Sequence, residues 1–367
     1  MSRQNVPHVS DGRLVTFTYS SNVLSDNPLQ DPAARAVTLW LPPSYDQKPN
    51  RRFPVLFALA GFMSSGRALV NWRGFDENLP ERAARLVRSG AMRETIIVFP
   101  DCFTSLGGNQ YINSSAIGRY SDYLTLELVP LIDREFKTLA HRDHRGIFGH
   151  SSGGFGALWH AMNHPDIWGA CASHAGDMFF ETCYLPGWAK TLTQLMRYRR
   201  ASLPEGKARV TLFPAPKKRG VDDGRVAQFL SALRGKSPDF EQGHALMDIA
   251  MAASYDPDPS APLGFRLPFD LDTAELLPER WRAWQRFDPV RLVSKRQKAL
   301  SQLNLLYFDC GRQDQYAMQF GAELFARRLR DQKIKFHYET FNGTHSHTSY
   351  RMDVSLPLLS RAVAGKK

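Results

Sequence analysis

Residues 145–156 read Arg145-Gly146-Ile147-Phe148-Gly149-His150-Ser151-Ser152-Gly153-Gly154-Phe155-Gly156, and the reading of this stretch decides the fold. A short apolar run breaks into glycine, a serine follows inside the pattern G-x-S-x-G, and residues 155–162 continue with helical character. A serine placed between a strand and a helix sits in a strained turn where strand and helix approach closely, so small residues are needed on both sides. Such a turn lifts Ser151 Oγ clear of the sheet and puts main-chain N–H groups at a helix N-terminus. G-x-S-x-G also occurs in plain flexible turns; the strand before it and the helix after it are what point to a nucleophile. Ser152 is the poorer candidate, because its own frame begins with His150 rather than glycine.

Upstream, short apolar runs at residues 36–41, 53–60 and 95–101 are strand candidates. They alternate with helical stretches at 80–89 and 121–136, the latter with apolar residues mostly on one side at helical spacing. This alternation predicts βαβ units and a largely parallel sheet. Downstream the rhythm lapses. From about 181 to 289 the chain is rich in proline and charge, with helix candidates at 225–233, 241–253 and 273–286. It resumes with a strand at 303–309, a helix at 317–332 and a strand at 335–341. The reading is an α/β chain with a mostly parallel central sheet flanked by helices. Its core segments are 1–180 and 290–367, interrupted by a mainly helical cap insertion over 181–289. Trp281, Trp284 and Phe287 fall at helical spacing and read as the core of that cap.

An alkyl hydroxyl is a poor nucleophile at neutral pH, so Ser151 needs a base, and the base needs an orienting carboxylate. In hydrolases built on this turn the order along the chain is serine, acid, histidine. Asp314 lies in the loop after the 303–309 strand and His345 in the loop after the 335–341 strand, where an open α/β sheet gathers its site. Asp309, still within its strand, and His347, two residues beyond His345, stand as alternatives. The two histidines lack the H-E-x-x-H spacing or a supporting carboxylate pattern, so no metal is expected. The oxyanion of a tetrahedral intermediate requires the N–H after the nucleophile and one from the loop after an early strand. Those are the main-chain groups of Ser152 and Phe62. The polar run at 107–115 is expected to form a loop at the rim of the site.

Composition sets the remaining bounds. With 367 residues, 43% hydrophobic and 23% charged, the chain is neither disordered nor a small disulfide scaffold. Cys102, Cys171, Cys183 and Cys310 show no C-x-x-C spacing and read as buried thiols. The net charge of +11 is spread along the chain, with short clusters at Arg197-Tyr198-Arg199-Arg200 and Lys217-Lys218-Arg219. No nucleic-acid motif accompanies them, so a solvated basic surface is expected and a nucleic-acid partner is not. No apolar run approaches the ~20 residues of a spanning helix, so no membrane partner is expected. The first residues carry no apolar leader, which reads as a cytoplasmic chain or a mature form. A homodimer is compatible with all of this.

Several segments together resemble one family. They are Leu41-Pro42-Pro43-Ser44-Tyr45-Asp46, Phe53-Pro54-Val55-Leu56-Phe57 with Ala60-Gly61-Phe62, and Ile97-Val98-Phe99-Pro100-Asp101. Glu127-Leu128-Val129-Pro130-Leu131-Ile132-Asp133, the elbow itself, Gly311-x-x-Asp314 and Gly343-Thr344-His345 with Tyr350-Arg351 complete the set. In order, they are similar to the putative esterase family of α/β-hydrolases. That group includes esterase D or S-formylglutathione hydrolase, enterochelin-esterase-like proteins, feruloyl and acetylxylan esterases, and mycolyltransferases. The resemblance covers roughly 36–180 and 290–355. It implies an α/β-hydrolase fold, Ser151 as nucleophile, Asp314 as acid and His345 as base, since the family's base follows Gly-x and precedes an aromatic residue, here Tyr350, by five positions. It also implies Phe62 and Ser152 as oxyanion donors. Two features depart from it: the usual His-Gly before the oxyanion loop is Ala60-Gly61, and compact S-formylglutathione hydrolases lack the long insertion. The expected activity is hydrolysis of a carboxylic ester or lactone through an acyl-enzyme, with a small-molecule substrate and no cofactor. Acyl transfer of the mycolyltransferase type, or a peptidase or amidase on the same triad, are the alternatives.

Overall fold

The computed structural model describes residues 11–198 and 220–365. The basic residues Arg199, Arg200, Lys217, Lys218 and Arg219 lie outside them. An eight-stranded sheet organises the molecule. Its strands are β1 (Arg13–Ser20), β2 (Ala34–Leu41), β3 (Val55–Leu59), β4 (Ile96–Pro100), β7 (Arg145–His150), β8 (Ala170–His174), β9 (Leu305–Gly311) and β10 (His337–Phe341), with a separate small hairpin from β5 (Asn113–Ser114) and β6 (Gly118–Arg119). The order across the sheet is β1-β2-β4-β3-β7-β8-β9-β10. The six strands from β4 to β10 run parallel, and β2 and β1 are antiparallel at one edge.

Both faces of the sheet are covered, which is why its central strands read as unbroken apolar runs rather than alternating ones. In β3, Val55, Phe57 and Leu59 enter one core, which also holds Phe155 and Phe325. Leu56 and Ala58 enter the other, built with Leu79, Ala83, Leu356 and Leu359. The helices Leu79–Arg88 and Met352–Val363 therefore cover one face, and Ser152–Asn163 and Met318–Asp331 the other.

Two expectations need adjustment, and three elements are additional. The helix expected at 121–136 is broken by a π-helical segment, Tyr123–Leu128, where Val129 N–H donates to the Leu124 carbonyl. Pro130, which has no N–H and crowds the preceding turn, follows directly and accounts for the widening. The helix expected at 273–286 is only Pro278–Gln285. Leu277 is extended, as a residue before proline prefers, and Asp270 collects the 272 and 273 N–H groups in a turn instead. The strands β1 and β8 and the helix Met352–Val363 were not anticipated. β8 reads Ala170-Cys171-Ala172-Ser173-His174, without the β-branched and aromatic residues that signal a strand, and the helix carries Pro357 in its interior.

Between the two core segments, the described residues form the helices Phe180–Cys183, Trp188–Met196, Arg225–Leu233, Phe240–Tyr255 and Pro278–Gln285. Trp281 and Trp284 are buried there, against Trp188 at ring separations of 5.3 and 6.4 Å and Tyr255 at 5.5 Å from Trp284. They are packing residues, as their spacing suggests. All four cysteines are free and buried.

Candidate active site

Ser151 is at the end of β7, with φ 57 and ψ −125, a conformation that an L-residue adopts only under constraint. The constraint is visible. Its N–H donates to the His174 carbonyl of the neighbouring strand at 2.9 Å, and its carbonyl accepts from Phe155 N–H at 2.9 Å as the helix begins. Glycine is required on both sides. A Cβ on Gly149 would lie 2.5 Å from the Leu59 carbonyl oxygen, and one on Gly153 only 2.2 Å from it.

The loop after β3 brings Phe62 beside this turn. Gly61 approaches the His150 carbonyl and the Ser151 side chain, its Cβ position being 3.5 and 3.7 Å from them. The Phe62 ring is buried against Gly107 and Gly108, and the Ala60 carbonyl is held by the Tyr111 hydroxyl at 2.6 Å. Ser152 is the first residue of its helix, so its N–H is one of those that the helix leaves without an internal acceptor.

Asp314 and His345 come together from the loops after β9 and β10. Those loops are laced by Arg312 N–H to the Phe341 carbonyl at 2.9 Å and Gln313 N–H to the Gly343 carbonyl at 3.0 Å. His345 Nδ1 is 2.7 Å from Asp314 Oδ2, and the Asp314 side chain is fully buried. Asp314 Oδ1 accepts from Tyr316 N–H at 2.9 Å, and His345 N–H donates to Gln315 Oε1 at 2.9 Å. With Nδ1 turned to the carboxylate, Nε2 is the nitrogen left for proton transfer. The ring is flanked by Tyr316, edge-on at 4.8 Å, and by His150 at 4.5 Å. Burial and then the adjacent His345 push the His150 imidazole down to about 3, so it stays neutral beside the candidate base. Ser151 and His345 share no hydrogen bond here, but both line one cavity of about 870 Å³. A candidate base and nucleophile often close only on a bound substrate.

The two alternatives lie elsewhere. His347 is exposed at the cavity's mouth. Asp309 belongs to a second histidine–aspartate pair that sequence reasoning did not anticipate. His174 Nδ1 is 2.8 Å from Asp309 Oδ1 and its Nε2 is 2.9 Å from Ser355 Oγ, while Asp309 Oδ2 accepts from Tyr307 Oη and Arg351 Nε, each at 2.8 Å. Burial alone would raise this carboxyl; His174, Arg351 and Tyr307 together hold it below its ordinary value. Among the described residues, no set of three or more His, Cys, Asp or Glu is grouped to hold a metal ion.

The far wall of the cavity comes from the helix Phe240–Tyr255 and the residues before it, through Asp239, Phe240, His244 and Met247. The loop at 107–115 is not a surface rim. Gln110 and Tyr111 are buried, both at positive φ, and Gln110 joins Asp177, Tyr184 and Tyr255 in a buried polar cluster. Asp177 had no recognisable signal, because the strand that leads to it, β8, has none.

Comparison with known proteins agrees with this architecture. The family model described as "Putative esterase" matches residues 32–356. Esterase Rv1288 of Mycobacterium tuberculosis (strain ATCC 25618 / H37Rv) is 30% identical over 173 residues, 46% of this chain and 33% of that protein. The uncharacterized protein YbbA of Bacillus subtilis (strain 168) is 25% identical over 201 residues, 53% of this chain and 71% of that protein. The chain thus spans about a third of the length of the mycobacterial relative. A ferulic acid esterase structure aligns with a TM-score of 0.57 at 20% identity, covering 96% of this chain and 98% of the other. An S-formylglutathione hydrolase from Agrobacterium tumefaciens aligns at 0.55 and 17% identity, with 96% of each covered. The shared fold is that of the α/β-hydrolases.

Proposed function

Since this chain belongs to the Putative esterase family, whose model matches residues 32–356, we propose that it cleaves carboxylic esters through an acyl-enzyme on Ser151. The observation that carries the reading is the 2.7 Å His345–Asp314 pair opening on the same cavity as a serine held at φ 57. Ser151 Oγ attacks the acyl carbon while His345 Nε2 takes its proton; Asp314 fixes the tautomer and stabilises the imidazolium. The oxyanion forms against the Ser152 and Phe62 N–H groups. His345 returns the proton to the leaving alcohol, then draws one from water to release the acid. The insertion is a cap that walls the cavity and shapes the substrate pocket.

The test is hydrolysis of a chain-length series of p-nitrophenyl esters by wild type and Ser151→Ala. The expected result is a loss of at least about a thousandfold in the variant. Activity surviving in Ser151→Ala would assign the nucleophile elsewhere, and no activity in a folded wild type would count against ester hydrolysis.

A further inference from the structure

The wall of the cavity is largely apolar, with Leu59, Phe62, Met247, Met318 and Met352 among its residues, yet of the three aspartates that line it, Asp76, Asp177 and Asp239, one is buried. Asp177 is buried, and its Oδ2 accepts from Gln110 Nε2 at 2.7 Å and from the Tyr184 hydroxyl at 2.8 Å. Gln110 Nε2 is also 2.7 Å from the Tyr255 hydroxyl, which is 3.1 Å from that of Tyr184. The other oxygen, Oδ1, takes no hydrogen bond among the described residues, and Asp177 is one of the residues that line the cavity. A carboxylate offers about four acceptor sites, and one left unpaired in an apolar surround is costly.

Backbone strain is concentrated around this group. Gln110 and Tyr111 have φ 58 and 59, and on the facing loop Ala175 and Phe179 have φ 43 and 55. Non-glycine residues in that region are strained and persist where the surroundings impose them. Here they are imposed by Tyr111 Oη on the Ala60 carbonyl, by Ala175 N–H on the Asp309 carbonyl at 2.8 Å, and by Phe179 N–H on Asp288 Oδ1 at 3.0 Å. A tie between core and insertion is achieved by Oδ2 alone. It gives no reason for a second acceptor to face the pocket.

We propose that Asp177 Oδ1 accepts a hydrogen bond from a hydroxyl group of the substrate, so that the site selects hydroxyl-bearing esters over their plain analogues. This rests on the ester reading above and narrows its substrate class. A neutral hydroxyl suits the position better than an ammonium, because burial pushes the Asp177 carboxyl up and so disfavours the charged form that an ammonium would need.

Two matched pairs test it: p-nitrophenyl 3-hydroxybutanoate against p-nitrophenyl butanoate for a hydroxyl on the acyl half, and 2-hydroxyethyl butanoate against ethyl butanoate for the alcohol half. In one pair, wild type is expected to favour the hydroxylated member by at least about tenfold in kcat/KM. Asp177→Leu should bring that ratio close to one, the hydroxylated member losing more than the plain one. Asp177→Asn, which keeps the shape and an acceptor for Gln110 and Tyr184, should lower it several-fold and serves if the leucine variant does not fold. A wild-type ratio near one in both pairs, or variants losing both members of a pair equally, would overturn the proposal. Calorimetric binding of ethyl 3-hydroxybutanoate and ethyl butanoate to Ser151→Ala separates the two claims. A hydroxyl preference in binding without turnover in wild type would support the subsite and count against the ester reading, whereas equal binding with active wild type would do the reverse.

Discussion

The Ser151 N–H donates to the carbonyl of His174 at 2.9 Å, and the His174 side chain in turn lies 2.8 Å from Asp309. The elbow thus hangs from the neighbouring strand, and that strand is pinned by the hydrogen bond from the His174 ring to Asp309. Two histidine–aspartate pairs sit close together with different work to do, and they should separate cleanly under mutation.

Asp314→Asn leaves packing nearly unchanged but removes the charge that holds the His345 tautomer. It should lower kcat by about 10³–10⁴ with little change in thermal midpoint. Asp309→Asn instead unsettles a buried cluster of His174, Tyr307 and Arg351, and should cost about 3 kcal/mol or more in stability. Denaturant midpoints and kcat measured on both variants check the contrast; equal losses of activity with equal midpoints would contradict it.

Gly153→Ala would place a methyl group 2.2 Å from the Leu59 carbonyl oxygen, a backbone atom that cannot swing away. Destabilisation of about 2 kcal/mol or more is expected, since either β3 or the helix must shift. A urea midpoint within error of wild type would show that the helix start yields more readily than its geometry implies.

Asp248, fully buried in the helix Phe240–Tyr255, bonds Thr191 Oγ1 at 2.6 Å through Oδ2, while Oδ1 has no partner. Burial raises its carboxyl to about 7, with the Thr191 hydrogen bond opposing only in part. The folded chain therefore holds this proton more tightly than the unfolded one. The associated stability is complete below about pH 4 and is lost as pH rises through about 7. Asp248→Asn should leave the melting temperature at pH 4.5 little changed and raise it at pH 8, by an amount corresponding to roughly 2–4 kcal/mol at most. Parallel pH curves for variant and wild type would refute this.

Met247 lines the insertion side of the cavity. Met247→Trp should shorten the pocket, lowering kcat/KM for long-chain p-nitrophenyl esters by about tenfold while leaving the acetate within about threefold. A uniform loss across the series would mean that the insertion does not shape the substrate pocket.

What could be read from the chain, and what could not, follows from where each signal is written. The elbow is local: Gly149, Ser151 and Gly153 are within five residues, and both glycines are crowded by the Leu59 carbonyl of β3, Gly149 also by the Gly153 backbone and Gly153 by the Ala60 carbonyl. The placing of Asp314 and His345 in loops after two strands was likewise readable, because both strands have apolar runs. Which aspartate faces which histidine is not local. Asp309 and Asp314 are five residues apart, and they part company because one lies within β9 beneath His174 and the other in the loop beyond it. β8 was missed for want of branched side chains, and with it went His174 and Asp177. The buried course of the 107–115 loop depends on contacts with Asp177 and Tyr184, far along the chain, which no polar-looking stretch of nine residues can announce.

Tyr184 and Tyr255 belong to the insertion, while Gln110 and Asp177 belong to the two flanking loops of the core, and the four share one set of hydrogen bonds. The insertion is therefore not a detachable module. A chimera that transplants it onto another α/β-hydrolase scaffold would bring two buried hydroxyls to a surface with nothing to receive them, and a deletion would strip the amide and carboxylate of their cover. The heritable unit is the insertion together with residues 107–111 and 175–179, and recombination between relatives should succeed when crossovers keep these three segments from one parent.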